Sequence, residues 1–182
     1  MSLAHVLITS LLEKPSSGIE LARRFDHSMG YFWSATHQQI YRELKNMLQQ
    51  GWISTQSPPD LKQKIYQVEA KGRAALATWM LEHSAPAQLR EDLMVRLRAE
   101  AQLNSQALIP ELQKHLIEHQ KRLRTYQAIF AKDFAAASPD NRQQYIQKMI
   151  LQLGLDLEQD WVNWLEQLIQ GLQQYQDNKD AD

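Results

Sequence analysis

The chain contains no cysteine. That excludes disulfides, thiolate catalysis and cysteine-bound zinc, and it suits a reducing compartment such as the cytoplasm. No apolar run approaches the length needed to cross a bilayer, so no membrane partner is expected. The opening residues, MSLAHVLITSLLE, lack a basic start and a small-residue cleavage site, and do not read as a signal peptide. No glycine-rich phosphate loop and no Ser/His/Asp arrangement stands out, so no cofactor is expected and no catalytic residue is assigned. Net charge is almost absent, at −1. The small value conceals an asymmetry. Residues 1–80 carry nine Lys and Arg against six Asp and Glu, whereas residues 81–182 carry eleven against fifteen. A mildly basic first part and an acidic second part fit a head that meets a polyanion and a body that stays off it.

What is present is enough for a core. Of 182 residues, 43% are apolar and 23% charged, the composition of a globular chain with one domain or two small ones. Organisation centres on residues 31–64. Ile40, Leu44, Met47 and Leu48 recur at helical spacing and predict a helix over residues 36–50 with one buried face. Gln38, Arg42, Lys45, Asn46 and Gln49 occupy the other face, which holds no acid. Glu43 sits at the edge of the buried one. Gln, Asn and Arg can make bidentate contacts to base edges in the major groove, although such a face also suits plain solvent. Gly51 ends this helix. Residues 52–55 and 62–68 read as two strands joined by a turn at Pro58-Pro59-Asp60. Lys62 and Lys64 stand at the hairpin tip, placed to neutralise phosphates without reading sequence.

Before this element, residues 2–13 predict a first helix with Leu3, Val6, Leu7, Leu11 and Leu12 on one face. Ser17 and Glu20 have the spacing of a capping box that opens a second helix, to about His27, burying Ile19, Leu21, Ala22 and Phe25. Arg23 and Arg24 suit either a phosphate backbone or water. After the wing, a fourth helix opens at Glu69 and runs to about His83, and Ala85-Pro86 marks a hinge. The expected domains are residues 1–84 and 85–182.

The second part reads as helix throughout. Residues 87–101 form a linking helix with Leu89, Leu93 and Leu97 in register. Ile109, Leu112, Leu116, His119, Leu123, Tyr126 and Phe130 form a heptad-like seam on a long helix. A last helix is expected to start at Ser138-Pro139, with Ser as N-cap. It carries two apolar rows. One runs through Ile146, Ile150, Leu153, Leu157, Trp161, Trp164, Leu168, Leu172 and Tyr175. The other is Leu151, Leu155, Val162, Leu165 and Ile169. That is more than one neighbouring helix can cover, so a symmetric homodimer is expected, with Leu112, Leu116, Leu123, Tyr126, Phe130, Leu157, Trp161, Trp164 and Leu168 at its contacts.

The fold class is therefore mainly α with a small β wing: a winged helix-turn-helix followed by long dimerisation helices. The segments SSGIELARRF, GYFWSATHQQIYREL with NMLQQGWI, KIYQVEAKGRAAL and REDLMVRL together resemble the PadR family of transcriptional regulators. The second half is similar to the two-helix carboxy-terminal domain of its AphA-like subgroup. The resemblance implies a homodimeric binder of double-stranded DNA, mostly a repressor acting on a near-palindromic operator. A phenolic or small hydrophobic effector acts on some members. It places His37, Gln38, Tyr41 and Arg42 on the recognition helix, and Lys62 and Lys64 on the wing, and Ser34, Thr36, Gln39 and Lys45 complete the expected DNA-binding set. Tyr41 can pack and still point its hydroxyl at a phosphate. The wing tip SPPDLKQ is poorer in Gly and Arg than the family's, and Glu69 stands where Thr usually opens the fourth helix.

Three readings compete with these. The same helix could contact a protein instead of DNA. His115, Glu118 and His119 match the H-x-x-E-H pattern of zinc peptidases, but on a leucine-seamed helix with no third ligand in view; no metal is expected. Trp161 and Trp164 read either as packing or as a flat wall for a planar hydrophobic effector.

Overall fold

In the computed structural model, the structure describes residues 3–27, 33, 35–56, 63–86, 91–103, 107–134, 139 and 141–177. The chain divides into two compact units, Met1–Ala87 and Gln88–Asp182.

The first unit contains α1 (Leu3–Glu13), β1 (Ser16–Ser17), α2 (Gly18–His27), α3 (His37–Gln49), β2 (Ile53–Gln56), β3 (Ile65–Val68) and α4 (Ala70–Met80). Its core joins Leu7, Ile8 and Leu11 of α1 to Leu21, Ala22 and Phe25 of α2, and to Ile40, Leu44 and Met47 of α3. Ile53 and Leu76 close it from the wing and from α4. Two residues expected inside are not. Ile19 is 45% exposed, because it lies two positions before Leu21, about 200° around the helix. Leu48 is 36% exposed, at the edge of the α3 stripe.

The caps follow the sequence closely. Ser17 N–H donates to Glu20 Oε2 at 3.0 Å and Glu20 N–H to Ser17 Oγ at 3.3 Å, the reciprocal box read from the spacing. Those bonds hold the Glu20 carboxyl below its ordinary pKa. At the end of α3, Gly51 takes φ +69°, Trp52 N–H donates to Met47 O at 2.9 Å and Gly51 N–H to Leu48 O at 3.1 Å. This is a Schellman stop, which needs a residue at ease in left-handed geometry. Glu69 opens α4 without a side-chain cap hydrogen bond.

Arg24 is half-buried and its guanidinium is engaged within the protein. Its guanidinium donates to Ser10 O at 2.8 Å, to Lys14 O at 2.9 Å and to Ser16 Oγ. Two of those acceptors are carbonyls at the end of α1, where a cation also suits the helix dipole. Burial pulls the Arg24 pKa below its ordinary value, against the opposing effect of Glu13 and Glu20. Arg23 is exposed.

The sheet has three strands in the order β1-β3-β2, both pairings antiparallel. β1 is absent from the sequence reading. Two serines are poor β-formers, and the strand exists because Ser16 and Ser17 pair with Tyr66 and Ile65. The expected turn at Pro58-Pro59-Asp60 lies outside the described residues. β3 begins at Ile65, so Lys64 precedes the strand instead of lying within it.

The second unit contains α5 (Asp92–Leu103), α6 (Ile109–Asp133) and α7 (Arg142–Asp177). Contacts between α6 and α7 pair Gln120 with Glu166, His119 with Glu158 and Tyr126 with Gly154. The numbers run in opposite senses, so the helices are antiparallel. Leu93, Leu112, Leu165 and Ile169 are buried together, with Leu97, Ile109, Leu116, Trp161, Trp164, Leu168 and Leu172 packed against them. α7 starts later than expected. Asn141 Oδ1 accepts from Gln144 N–H at 3.0 Å and so caps the helix, while Pro139 precedes it. Ser138 and Leu89 lie outside the described residues.

Candidate nucleic-acid interface

α3 is fixed at both ends before its outer face is considered. Thr36 Oγ1 accepts from Gln39 N–H at 3.2 Å, and Gln39 Oε1 accepts from Thr36 N–H at 2.8 Å. These two side chains, expected among the DNA contacts, therefore set where the helix begins. Gln39 keeps its amide N–H donors for anything beyond. Ile40, Leu44 and Met47 anchor the opposite face at 0%, 1% and 0% exposure.

His37, Gln38, Arg42 and Lys45 are exposed on the outer face. Among the described residues, Gln38, Arg42, Lys45 and the wing's Lys64 have no side-chain hydrogen bond or ion pair within the protein. The acid nearest this row is turned aside, since Asn46 Nδ2 donates to Glu43 Oε2 at 3.3 Å. The result is a row of long donors and two cations facing outward with no carboxylate among them. Ser34 and Lys62 lie outside the described residues.

Tyr41 has a seat that the sequence did not disclose. Its ring lies so close over Gly18 that a Cβ there would come within 2.5 Å of Tyr41 Cε1. The side chain is nevertheless 44% exposed. The strand residue Tyr66 is its electrostatic neighbour. Burial first, and the Tyr41 phenol second, raise the Tyr66 pKa. One tyrosine of α3 thus rests on the first residue of α2 and adjoins one of β3. Contacts across such sequence distances leave no periodic trace.

In the second unit the expected dimer residues separate into two groups. Leu112, Leu123 and Tyr126 are 0%, 8% and 5% exposed within a single protomer. Within one protomer their seam is closed by the chain's own α7. Leu116, Trp161, Trp164 and Leu168 are half-buried on the same core, and Phe130 is half-buried near Phe134 and the Lys148 ammonium. Leu157 is 53% exposed. Apolar side chains also stand open at Val95 and Leu103 of α5, at Ile117 of α6 and at Tyr175, and a continuous row of them lies on the first half of α7, in Tyr145, Ile146, Met149, Ile150 and Leu153.

His119 of the zinc-like pattern is engaged inside the protein. Its Nδ1 lies 2.6 Å from Glu158 Oε2, and its ring stacks on Trp161. Among the described residues no group of three or more His, Asp and Glu side chains could hold a metal. No described helix is long and apolar enough to cross a membrane.

A helix-turn-helix whose third helix is followed by a small antiparallel wing, with long helices after it, defines a winged-helix regulator class. Residues 7–78 match the description "Transcriptional regulator PadR-like family", and residues 89–173 match "Virulence activator alpha C-term". A probable transcriptional regulator of Mycobacterium tuberculosis is 35% identical over 189 residues, covering 96% of this chain and 99% of its own. The chain belongs to the PadR-like family of transcriptional regulators. The negative transcriptional regulator PadR of Bacillus subtilis is 28% identical over 176 residues, 93% of this chain and 97% of that one. Its crystal structure with operator DNA superposes with a TM-score of 0.78 at 25% identity, covering 92% of this chain and 96% of that one. The same protein has been crystallised with p-coumaric acid. The Vibrio cholerae virulence activator AphA superposes with a TM-score of 0.77 at 29% identity, covering 96% and 99%.

Proposed function

We propose that the chain is a homodimeric repressor whose two α3 helices enter successive major grooves of a near-palindromic operator, about 34 Å apart. The observation that carries this is the outward, acid-free row of Gln38, Arg42 and Lys45 on a helix whose ends are both locked. His37 and Tyr41 flank the row, and Lys64 brings a phosphate-neutralising charge from the wing, with Ser34 and Lys62 completing the set. The B. subtilis relative bound to operator DNA, and its description as a negative regulator, favour duplex DNA over a protein target and repression over activation. The dimer contact is the open α7 row from Tyr145 to Leu153. A small hydrophobic effector, at Trp161 and Trp164, biases the dimer by binding its DNA-competent and incompetent forms unequally.

Arg42 and Lys64 play different parts, and titration separates them. Arg42→Ala should weaken the cognate operator about 5- to 100-fold while leaving random duplex almost unaffected. Lys64→Ala should weaken every sequence similarly and flatten the salt dependence by about one phosphate. Fluorescence anisotropy on both duplexes at several salt concentrations reads this. Equal losses on cognate and random DNA for Arg42→Ala would remove it from base reading. Absence of any salt-sensitive binding would turn the reading toward a protein target.

Gly18→Ala tests Tyr41 from a distance. The added methyl displaces the ring, and because that ring is half in solvent the fold should lose no more than about 1 kcal/mol. Operator affinity should fall about threefold to tenfold through the lost phosphate contact. An unchanged affinity, with the ring shown by crystallography to have moved, would take Tyr41 off the DNA.

A further inference from the structure

We infer that Gln38 is the adenine-selecting residue of α3, and that its neighbour Gln39 reads no base but positions Gln38. The inference rests on the duplex-DNA reading above and adds which amide does the selecting.

Recognition of adenine by an amide side chain has a strict requirement. The amide oxygen accepts from the N6 amino group while the amide nitrogen donates to N7, both along one edge of the base. An amide with either end already held cannot turn freely to meet both. Four amide side chains stand on α3, at Gln38, Gln39, Asn46 and Gln49. The helix itself holds two of them. Gln39 Oε1 accepts from Thr36 N–H at 2.8 Å, which turns that oxygen back toward the chain. Asn46 Nδ2 donates to Glu43 Oε2 at 3.3 Å, and Asn46 is only partly exposed. Gln38 and Gln49 are exposed, and among the described residues the side chain of neither bonds to any other group.

Position separates those two. Gln49 is the last residue of α3 and Gln38 the second. A recognition helix meets base edges through its N-terminal residues. Gln38 lies two positions before the fully buried Ile40, about 200° around the helix from it. Arg42 follows Gln38 by four positions, about 6 Å along the helix and about 40° around it. A guanidinium pairs with guanine O6 and N7 as an amide pairs with adenine. A rise of about 6 Å spans about two base steps. The half-site therefore carries an adenine and a guanine about two steps apart.

Gln39 matters without reading. Its N–H donates to Thr36 Oγ1 at 3.2 Å while its Oε1 takes the Thr36 N–H, and Gln38 lies in the chain between the two residues so joined. The box fixes the backbone of Gln38 relative to Arg42 one turn on. A long side chain on a fixed backbone has less freedom to lose on binding.

The test begins with the full chain selecting from duplexes of about 30 random base pairs, long enough for two half-sites one turn apart. Wild type should enrich an adenine in each half-site that Gln38→Arg replaces by guanine, the other positions being kept. Anisotropy titrations then use the wild-type consensus. Replacing N7 of that adenine by carbon should weaken wild type about fivefold to tenfold and Gln38→Ala not at all. Gln39→Ala should narrow the ratio of consensus to random affinity about twofold to fivefold and lower the melting temperature. Gln39→Glu should restore both, because glutamate also completes the box, while its charge weakens every duplex by one common factor. A merely structural glutamine would leave the ratio unmoved, and glutamate could not replace a base-reading one. An adenine that survives Gln38→Arg, indifference of wild type to the loss of N7, or loss of the adenine preference in Gln39→Glu would overturn the inference and leave DNA binding intact. A wild-type chain that retains no duplex at any salt concentration would overturn the DNA reading, and this inference with it.

Discussion

Gly72→Ala is expected to destabilise the winged-helix unit by about 2–4 kcal/mol, although the same change in most helices is favourable by about 1 kcal/mol. The sign reverses because of what lies over the residue. A Cβ at 72 would stand 2.3 Å from the carbonyl oxygen of Trp52, and 3.1 Å from both Trp52 C and Val68 Cγ1. Backbone cannot swing aside as a side chain can. Moving that carbonyl would also strain its bond from Glu69 N–H, now 2.9 Å long, which ties the start of α4 to the wing. Overpacking and a weakened buried hydrogen bond thus act together at one atom. Gly171→Ala is the internal control, because its added methyl meets nothing within 4 Å. That variant should gain about 0.5–1 kcal/mol. Urea unfolding of both, followed by near-ultraviolet dichroism, gives the comparison. If Gly72→Ala proved neutral, α4 would not lie flush on Trp52, and the packing that steadies the wing would need another origin.

The second large effect concerns assembly. Ile150 and Leu153 are 45% and 59% exposed in the protomer, in a row with Tyr145, Ile146 and Met149. Carboxylates at 150 and 153 should leave the fold of one protomer within about 0.5 kcal/mol of its original stability, as surface changes do. The same carboxylates would be intolerable inside a contact between two copies. Sedimentation should therefore show a halved mass at micromolar concentration. Operator affinity should fall about 100- to 10,000-fold, since joining two DNA-binding heads makes the second contact intramolecular. Random DNA should be affected far less. A variant that stays dimeric would move the interface off this row. A true monomer that still held the full operator tightly would show that one head suffices.

Much of this architecture could be read from the chain. Signals confined to a few neighbouring residues survived intact: the Ser17 and Glu20 box, the stop at Gly51 and the buried stripe of α3. The signals that misled were of two kinds. Some were local but had a local rival. Ser138-Pro139 and Asn141 are both good helix starts, and the helix takes the later one. Others depended on residues far along the chain. Ser16 and Ser17 form a strand only because Tyr66 and Ile65 lie beside them. Arg24 caps the end of α1 because the turn after α1 brings Ser10 and Lys14 to it. The two apolar rows of α7 were visible as rows. Periodicity could not say which of them α6 would cover, because both have the same spacing.

Gln38 and Lys45, the outer members of the α3 row, are seven positions apart. Along a helix that is about 10.5 Å, which matches about three steps of stacked base pairs. If α3 reads bases as proposed, two such probes would examine about six pairs, or about four thousand possible words, so a given word would recur on the order of a few hundred times in every million base pairs. A vocabulary that small cannot single out one promoter. On the proposed reading, the remaining selectivity would come from the stretch between the half-sites, from its length and from how readily it bends.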